Sequence, residues 1–349
     1  MKNSVNLRDL SLQELEALFT KRGLPAYRGR QVFRWLATPG ITSFEEMTDL
    51  PKGLRRELAE EFSITLPEVV REEVSEDGTR KLALKLTDGE IIESVIIPER
   101  EHFTLCVSSQ VGCALGCAFC LTARMGFKRH LRPGEITAQV LRAKEILNRE
   151  GLAEEKPLRN LVFMGMGEPL ANYENVLKAL KNLLHPRGFD FSGRRVTVST
   201  AGLVPQMERL GREIGVKLAI SLHAADDETR ARLMPINRRY PLKELLDACR
   251  RYPLKKGWRL TFEYVLLEGI NASPEDALKL AQLLRGLPAK VNLIPFNEHP
   301  ELPFRCPSEE RILAFQEILL NEGYVATVRK SRGRDISAAC GQLRTKLAA

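Results

Sequence analysis

Apolar residues recur at helical spacing through the first 66 residues of the chain. They fall on one face of SLQELEALFTKRG, where Ser11 and Glu14 also stand at the spacing of a capping box. The segments RGRQVFRWLATPG and SFEEMTDLPKGLRRELAEEF predict two further short helices, the second interrupted by Pro51. The pattern therefore predicts a small helical module at the N-terminus.

The periodicity changes near residue 67 from helical to alternating. Apolar and polar residues alternate through EVVREEVSEDGTRKLALKLTDGEIIESVIIPE, and the Asp-Gly pairs at 77–78 and 88–89 are typical of tight hairpins. We interpret this stretch as a β-meander that ends near residue 98. Together with the helices it predicts an accessory domain over residues 1–98, followed by a second domain over residues 99–349.

From residue 99 onward, predicted strands alternate with amphipathic helices. The predicted strands are FTLCVSS, NLVFMG, RVTVST, KLAISLH, RLTFEYVLL, KVNLIPF and YVATVRK. About six strand–helix repeats indicate an α/β fold with a parallel sheet, too few for a complete eightfold barrel. Polar and small residues follow several strands, in MGMGEP, STAG, SLHA and PFNEH. Because parallel α/β folds bind ligands at the carboxyl ends of their strands, we expect these loops to surround one site.

The charge of the chain is positive and unevenly distributed. The 349 residues carry a formal net charge of +8, with basic clusters in ARMGFKRHLR, in RGFDFSGRR and near the C-terminus. The C-terminal cluster consists of Arg329, Lys330, Arg332, Arg334, Arg344 and Lys346. This distribution favours a polyanionic partner such as nucleic acid over a merely solvated basic face.

Cysteine usage and hydropathy indicate the compartment. The chain has seven cysteines, an odd number, and its N-terminal MKNSVNLRDL lacks the apolar centre of a signal peptide. Its apolar runs are all shorter than the ~20 residues that span a bilayer. We therefore expect a cytoplasmic protein with no membrane partner, in which some cysteines are ligands or reactive groups rather than disulfide partners.

Three of these cysteines lie within eight positions, in VGCALGCAFC. Cys113, Cys117 and Cys120 have the spacing C-x3-C-x2-C directly after a predicted strand. Structural zinc sites use four ligands, and electron-transfer iron–sulfur clusters usually do so too. Three thiolates leave one iron of a cubane cluster without a protein ligand, and an open iron can bind a substrate or cofactor. The spacing therefore favours a catalytic iron–sulfur cluster.

The cysteine motif, with Phe119 before its last cysteine, resembles that of the radical S-adenosylmethionine superfamily. GMGEP at 165–169 is similar to the superfamily's glycine- and glutamate-containing loop near the cofactor's amino group. The resemblance implies a 4Fe–4S cluster held by Cys113, Cys117 and Cys120, with S-adenosylmethionine on the fourth iron. Reductive cleavage of that cofactor yields a 5′-deoxyadenosyl radical, and the protein's part is to position the reactants.

Further segments narrow the resemblance to the bacterial ribosomal RNA large-subunit methyltransferase N family. They are TLCVSSQVGCALGCAFCLTARMGFKRHL, FMGMGEPL, VTVSTAG, AISLHA, LIPFN and RGRDISAACGQL, together with YRGRQVFRWL and FEEMTDLPKGLR near the N-terminus. The resemblance implies a partial (β/α)6 TIM-type barrel behind an RNA-binding accessory domain of helices and a β-hairpin. It also implies methylation of adenine C2, at position 2503 of 23S ribosomal RNA and position 37 of transfer RNAs. The implied partners are these RNAs and an electron donor such as flavodoxin or ferredoxin, and we expect a monomer.

The same resemblance assigns the chemistry to two cysteines outside the cluster motif. Cys340, in AACGQL, corresponds to a cysteine that accepts a methyl group from one S-adenosylmethionine; a second molecule supplies the radical, so two are consumed per methylation. The thiomethylene radical formed on Cys340 adds to C2, and Cys106, in TLCVSS, resolves the adduct as a disulfide forms. This role requires an accessible thiolate at Cys106 and Cα atoms roughly 4.4–6.8 Å apart. Glu93, in IIESVIIPE, corresponds to the family's proton-acceptor carboxylate.

The resemblance also implies a set of cofactor contacts. The residues that correspond to contacts with S-adenosylmethionine are Gly167, Glu168, Ser199, Ser221, Leu222, His223 and Asn297. Glu168 is suited to accept a hydrogen bond from the ammonium group. Taken alone, Glu93 is typical of an exposed strand glutamate, and His223 of a hydrogen-bonded residue at a strand end. Cys249 and Cys306 match no chemical motif, and we predict a core and a loop position for them.

Three alternatives stay open. A related antibiotic-resistance family methylates C8 of the same ribosomal adenine and shares both reactive cysteines. A non-catalytic iron–sulfur protein that binds RNA would account for the cluster motif and the basic charge. That alternative leaves AACGQL unexplained, and a zinc-stabilised RNA-binding module is the third.

Overall fold

The computed structural model describes residues 5–344, and Lys346 of the predicted basic cluster lies outside the described residues. The N-terminal module has its own hydrophobic core, which includes Leu15, Phe19 and Leu58. Its elements are β1 (Val5–Asn6), α1 (Leu12–Lys21), α2 (Tyr27–Leu36), α3 (Lys52–Glu61) and β2 (Phe62–Ser63). The capping box predicted at Ser11 and Glu14 is present at the start of α1. The three predicted helices are therefore confirmed.

A buried arginine joins the parts of this module. Arg8 is 3% exposed, and its guanidinium donates hydrogen bonds to the carbonyl groups of Leu36, Ile41 and Ile64. Burial lowers the pKa of Arg8 to about 10, so the side chain is still a cation at neutral pH. One cation thus satisfies backbone carbonyls at the end of α2, in the following loop and after β2.

Most other strands form one ten-stranded sheet. The strands after β2 are, in chain order, β3 (Glu68–Val74), β4 (Arg80–Lys85), β5 (Ile91–Pro98), β6 (Phe103–Cys106), β7 (Gln110–Gly112), β8 (Phe127–His130), β9 (Leu158–Phe163), β10 (Val196–Thr200), β11 (Lys217–Ser221), β12 (Leu260–Leu266), β13 (Ala289–Pro295) and β14 (Val325–Val328). The sheet order is β14-β13-β12-β11-β10-β9-β6-β5-β4-β3, while β7 and β8 pair separately.

The parallel part of this sheet confirms the predicted α/β fold. Neighbouring strands from β6 and β9 through β14 pair in parallel, and helices connect most of them. The helices after α3 are α4 (Leu121–Arg124), α5 (Pro133–Arg149), α6 (Leu152–Glu155), α7 (Tyr173–Leu184), α8 (Val204–Glu213), α9 (Asp227–Leu233), α10 (Leu242–Arg251), α11 (Pro274–Leu283) and α12 (Glu309–Asn321). Because β3 and β14 are edges, the sheet is a partial barrel of the TIM type. None of the helices described within residues 5–344 is long and apolar enough to cross a membrane.

The predicted meander, β3 to β5, continues the barrel sheet. β5 pairs antiparallel with β6, with Val95 opposite Cys106, and side chains of β4 and β5 belong to the main hydrophobic core. The core of the N-terminal module ends at Ile64. By sheet and by core, therefore, the meander joins the barrel. We propose that the folding boundary lies near residue 65 rather than at residue 98.

Candidate active site

The cysteine loop connects β7 to α4 and is anchored at several points. The amide of Cys113 donates to the Gly126 carbonyl at 3.0 Å, and the Ala118 amide donates to the Leu233 carbonyl at 2.9 Å. Gly112 precedes the first cysteine with φ +73°, and a Cβ there would lie 1.7 Å from the Gly126 oxygen. The loop therefore depends on a glycine at residue 112 to approach β8 so closely.

The thiols of Cys113, Cys117 and Cys120 line one cleft at the carboxyl ends of the parallel strands. The cleft encloses about 990 Å³, part of it open to solvent, which suits a nucleoside-sized ligand. Burial raises the pKa of Cys113 to about 11 and also raises the pKa values of Cys117 and Cys120. Neutral thiols in such a setting are deprotonated when a metal coordinates them.

The three thiols fit a cluster better than a single ion. Within residues 5–344, no group of three or more histidine, cysteine, aspartate or glutamate side chains is placed to hold one metal ion. Three thiols on one loop match the ligand set of a 4Fe–4S cluster with an open iron, and they are one ligand short of the four that a structural zinc site uses.

The loop after β9 carries Gly167 and Glu168. Glu168 is buried, and its two carboxylate oxygens accept hydrogen bonds from the amides of Leu170 at 3.0 Å and Ala201 at 2.8 Å. Burial raises the pKa of Glu168 to about 7. A cation bound beside Glu168 would favour the ionised form of this carboxylate. The position is therefore suited to an ammonium group.

Arg230 holds the ends of β10 and β11 together. Its fully buried guanidinium donates to the carbonyls of Ala201 at 2.8 Å, Ser221 at 3.1 Å and Leu222 at 3.1 Å. Ser199 and Ser221 line the cleft, whereas the Leu222 side chain is buried away from it. Sequence reasoning missed Arg230, since one arginine in an exposed-looking helix gives no signal.

His223 is fixed in orientation and in tautomer. It adopts φ +59°, its Nδ1 accepts from the Val265 amide at 3.0 Å, and its carbonyl accepts from Asn271 at 2.7 Å. The ring packs edge-on to Phe119, with centroids 4.8 Å apart. Burial lowers the pKa of His223 to about 3, so the imidazole is neutral and its remaining ring N–H is at Nε2. The predicted strand-end hydrogen bonding is confirmed, and the residue also lines the cleft.

Cys340 lies where the cleft meets a second, smaller cavity. Cys340, Asn297 and Arg329 line both spaces, and Cys106 lines the smaller one, which encloses about 480 Å³. The Cys340 segment is tied to the cysteine loop, because the Leu121 amide donates to the Gly341 carbonyl at 2.8 Å. The structure therefore brings the two predicted reactive cysteines to one cavity, with both thiols free.

The prediction of an accessible thiolate at Cys106 is wrong for this state of the protein. Cys106 is 6% exposed, because it is the last residue of β6 and packs in the main core. Burial, together with the nearby Cys340, raises the pKa of the Cys106 thiol to about 12. Cys106 is therefore a neutral thiol in this structure.

Glu93 faces a different, polar cavity of about 780 Å³. It is buried rather than exposed, which corrects the expectation drawn from the strand pattern alone. Its Oε2 accepts from the Arg344 amide at 2.8 Å, and Lys81 Nζ lies 3.8 Å from its Oε1. Burial raises the pKa of Glu93, whereas Lys81 acts in the opposite direction. The structure thus separates Glu93 from the cleft by the C-terminal segment.

The basic residues after the cysteine motif are largely engaged within the protein. Lys128 Nζ lies 2.7 Å from Glu90, and Arg129 lies 2.6 Å from Asp88 and 2.8 Å from Glu135. These ion pairs neutralise much of the positive charge that the sequence places next to the cluster. The predicted phosphate-binding surface is therefore weaker at Lys128 and Arg129 than the sequence indicates.

The two remaining cysteines occupy the predicted kinds of position. Cys249 is buried in α10, and Cys306 is half-buried in the loop between β13 and α12.

Comparison with known proteins identifies the family. The radical SAM superfamily model matches residues 107–281, and the model for the ribosomal RNA large subunit methyltransferase N-terminal domain matches residues 5–64. A dual-specificity RNA methyltransferase RlmN from Syntrophus aciditrophicus is 50% identical over 344 residues, covering 99% of this chain and 97% of that protein. The chain belongs to the RlmN family. Another RlmN, from Anaeromyxobacter sp., is 55% identical over 97% of this chain and 90% of its own length.

A solved structure agrees with the RlmN assignment over the whole fold. The crystal structure of a radical SAM methyltransferase from Sphaerobacter thermophilus matches with a TM-score of 0.91 at 49% identity, covering 97% of this chain and 99% of that one. Membership of the superfamily implies S-adenosylmethionine and a 4Fe–4S cluster as cofactors. The resemblance stated from the sequence is thereby confirmed at the level of the family and the fold.

Replacing Gly167 with alanine is expected to weaken binding of S-adenosylmethionine by about tenfold or more. Gly167 has φ +96°, and a Cβ would lie 2.5 Å from the Gln110 Cβ, so the loop that presents Glu168 must shift. Isothermal titration of the anaerobic, cluster-loaded protein with S-adenosylhomocysteine, which has no methyl group to donate to Cys340, measures the affinity. Gly53→Ala is the matched control, since Gly53 is helical with open space around it. Equal affinities in the two variants would contradict the role assigned to the loop.

Proposed function

We propose that this protein is a cytoplasmic radical S-adenosylmethionine methyltransferase that methylates C2 of adenine 2503 in 23S ribosomal RNA and of adenine 37 in transfer RNAs. Cys340 carries the methyl group and Cys106 resolves the protein–RNA adduct. The observation that carries the proposal is the place of Cys340, which lines both the cleft of the cysteine motif and the cavity of Cys106. The relatives are named dual-specificity RNA methyltransferases, which is consistent with two kinds of RNA substrate.

Adenine C2 demands unusual chemistry, because it is an electrophilic carbon whose hydrogen is only weakly acidic. When bound, the cluster and S-adenosylmethionine supply a carbon-centred radical generator, with Cys113, Cys117 and Cys120 as the residues that hold the cluster. The protein supplies the rest. Cys340 contributes the sulfur that receives a methyl group, and the carbon it carries bonds to C2 after losing one hydrogen atom to the radical. The adduct gives back the one electron that the reductant supplied and loses its C2 proton. The Cys106 thiolate then attacks the Cys340 sulfur, the sulfur–carbon bond breaks with its electron pair left on the carbon, and that carbon takes up a proton to become the methyl group as the disulfide forms.

The electrostatics around the two cysteines support this division of roles. Arg329 lines both cavities that contain Cys340, and its side chain stays a cation there. The charge of Arg329 acts against the burial that keeps the Cys106 thiol neutral. Cys113 and Cys120, in contrast, act in this proposal as cluster ligands and take no part in methyl transfer or adduct resolution.

We propose that Glu93 accepts the C2 proton after the C-terminal segment has moved. Its carboxylate is buried, and the amide of Arg344 occupies one of its oxygens. Displacement of that amide would free the carboxylate while Lys81 remains near it at 3.8 Å. The raised pKa of Glu93 favours proton uptake, because a base of higher pKa binds a proton more readily.

Several parts of the proposal concern partners. The target adenine must be unstacked and turned into the cleft, as in other enzymes that modify a base. The N-terminal module is proposed to contact RNA away from the chemistry, and a flavodoxin or ferredoxin is proposed to reduce the cluster. We further propose that the protein acts as a monomer and consumes two S-adenosylmethionine molecules per methylation.

Mass spectrometry of the modified nucleoside tests the proposal against its nearest alternative. The cluster-loaded protein is incubated anaerobically with unmodified 23S ribosomal RNA, S-adenosylmethionine and a reductant, and the RNA is digested to nucleosides. We expect 2-methyladenosine, identified against a synthetic standard. An 8-methyladenosine product would overturn the assignment to C2, and RNA without added methyl groups would overturn the catalytic function.

A further inference from the structure

Glu263, on β12, carries an oxygen that has no partner. The residue is 3% exposed, and its Oε2 is buried and makes no hydrogen bond within the described part of the chain. Its other oxygen, Oε1, accepts from the Asn292 side chain at 3.0 Å. A buried carboxylate oxygen left unpaired is costly, so native proteins normally provide it with a donor. Arg329 acts on this carboxylate electrostatically but makes no hydrogen bond to Oε2, so the cleft that Glu263 lines is where a ligand can supply the donor.

The position of Glu263 is built rather than incidental. Asn292 donates to Glu263 and accepts from the Thr327 hydroxyl at 2.8 Å, so a polar chain crosses β12, β13 and β14. The backbone of Glu263 also positions its neighbours, because its carbonyl accepts from the amides of Leu222 at 3.0 Å and His223 at 3.4 Å. Such a network fixes the carboxylate rotamer and points its free oxygen in one direction.

The neighbours of Glu263 indicate which part of a nucleoside it meets. Ser221 is its direct partner across the β11–β12 pair, and both side chains line the cleft. Val265 is two residues further along β12 and so projects from the same face of the strand. Val265, Phe296 and Phe119 form an apolar wall of the cleft that suits a purine ring. A purine against Val265 would place its sugar one step down the strand, beside Glu263 and Ser221.

The acceptor at Glu168 belongs to the other end of the ligand. Both of its carboxylate oxygens are held by backbone amides in the loop after β9, beside the cysteine motif. The resemblance places the ammonium group of S-adenosylmethionine there, which leaves Glu263 for a different donor. The cofactor's remaining donors are the two ribose hydroxyls and the amino group of adenine.

We propose that Glu263 is a specificity-determining residue whose free Oε2 accepts a hydrogen bond from one ribose hydroxyl of S-adenosylmethionine, with Asn292 as the positioning residue. The inference deepens the proposed function, on which it rests for the identity of the cofactor. It concerns cofactor binding alone and is independent of which carbon of adenine is methylated.

Titration with nonreactive nucleosides tests the inference without turnover. The probes are S-adenosylhomocysteine, its 2′-deoxy and 3′-deoxy forms, and the purine riboside form that lacks the amino group. Isothermal titration is performed on the anaerobic, cluster-loaded wild type and on Glu263→Gln. The wild type is expected to bind one deoxy probe about tenfold more weakly than S-adenosylhomocysteine, the usual effect of losing a hydrogen bond to a charged group. Glu263→Gln is expected to bind S-adenosylhomocysteine about tenfold more weakly than the wild type does. The variant and the wild type are expected to bind that deoxy probe with equal affinity.

Glu317→Gln, an exposed change on α12, is the control and is expected to behave as the wild type. Equal affinity of the wild type for all three ribose forms would overturn the inference without reference to any variant. The inference would also be overturned if Glu263→Gln removed the affinity difference between S-adenosylhomocysteine and the form without the amino group, because Glu263 would then contact adenine. Methylation of RNA by the wild type is measured in parallel, so failure of this inference is distinguishable from failure of the proposed function.

Discussion

Replacing Cys340 with alanine is expected to abolish RNA methylation and leave the iron–sulfur cluster in place. In the proposed reaction the methyl group passes through the Cys340 sulfur, and no neighbouring atom can substitute for it. Cys340 lines the cleft but lies outside the cysteine motif, so the cluster keeps its three ligands. We expect methyl incorporation to fall by about 10⁴-fold or more, the scale on which loss of a covalent nucleophile acts. Transfer of radiolabelled methyl groups to RNA measures the loss, and iron content and visible absorbance report the cluster.

Cys306→Ala is the matched control for this prediction. Cys306 is also a half-buried loop cysteine, and it does not line the cavities that contain Cys340. It is expected to retain the activity of the wild type. Methylation by Cys340→Ala at more than a few per cent of the wild-type rate would show that the methyl group does not pass through Cys340.

Replacing Cys106 with alanine is expected to trap the protein covalently on RNA. Carbon–carbon bond formation requires Cys340 but not Cys106, so the adduct forms and is not resolved. Cys106 lines the cavity that Cys340 also lines, which is where a resolving thiol must lie. We expect most of the protein that turns over once to migrate as a protein–RNA species on a denaturing gel. Nuclease digestion should reduce this species to the protein carrying one modified nucleotide, and mass spectrometry of the peptide should locate the link at Cys340.

Cys249→Ala controls for the loss of a buried cysteine, since Cys249 is buried in α10 and lines neither cavity. It is expected to release methylated RNA without accumulating a crosslink. The double replacement of Cys106 and Cys340 should form none either. A crosslink in that double variant, or its absence in Cys106→Ala under conditions where the wild type methylates RNA, would contradict the resolving role.

Local patterns predicted most of the fold. The capping box at Ser11 and Glu14 and the alternation of strands and helices after residue 99 each reflect short-range spacing, and the structure confirms them. The attachment of the meander to the barrel was not predictable in this way. It depends on the pairing of β5 with β6. The residue pattern of a strand does not show which other strand it pairs with.

Sequence reasoning named the site residues that belong to recognisable motifs. It missed those whose role depends on contacts between distant segments. The three motif cysteines, Glu168 and Cys340 line one cleft, and their roles there stay predictions. Burial of Cys106 was not predictable, because a four-residue strand can lie at an edge or in a core. Arg230 and Glu263 gave no sequence signal either. Arg230 matters because it donates to carbonyl groups at strand ends that are distant in sequence. Glu263 matters because its buried Oε2 has no hydrogen-bond donor within the described residues.

The most direct test of the central claim follows the methyl carbon itself. The protein is first charged with S-adenosylmethionine that carries a CD3 methyl group, freed of excess cofactor, and then given RNA, reductant and unlabelled S-adenosylmethionine for a single turnover. We expect 2-methyladenosine whose methyl carbon retains two deuterium atoms, because the CD3 group on Cys340 loses one deuterium to the radical before its carbon bonds to C2. An unlabelled methyl group on the product would contradict the account, since the carbon would then have come from the second cofactor molecule without passing through Cys340.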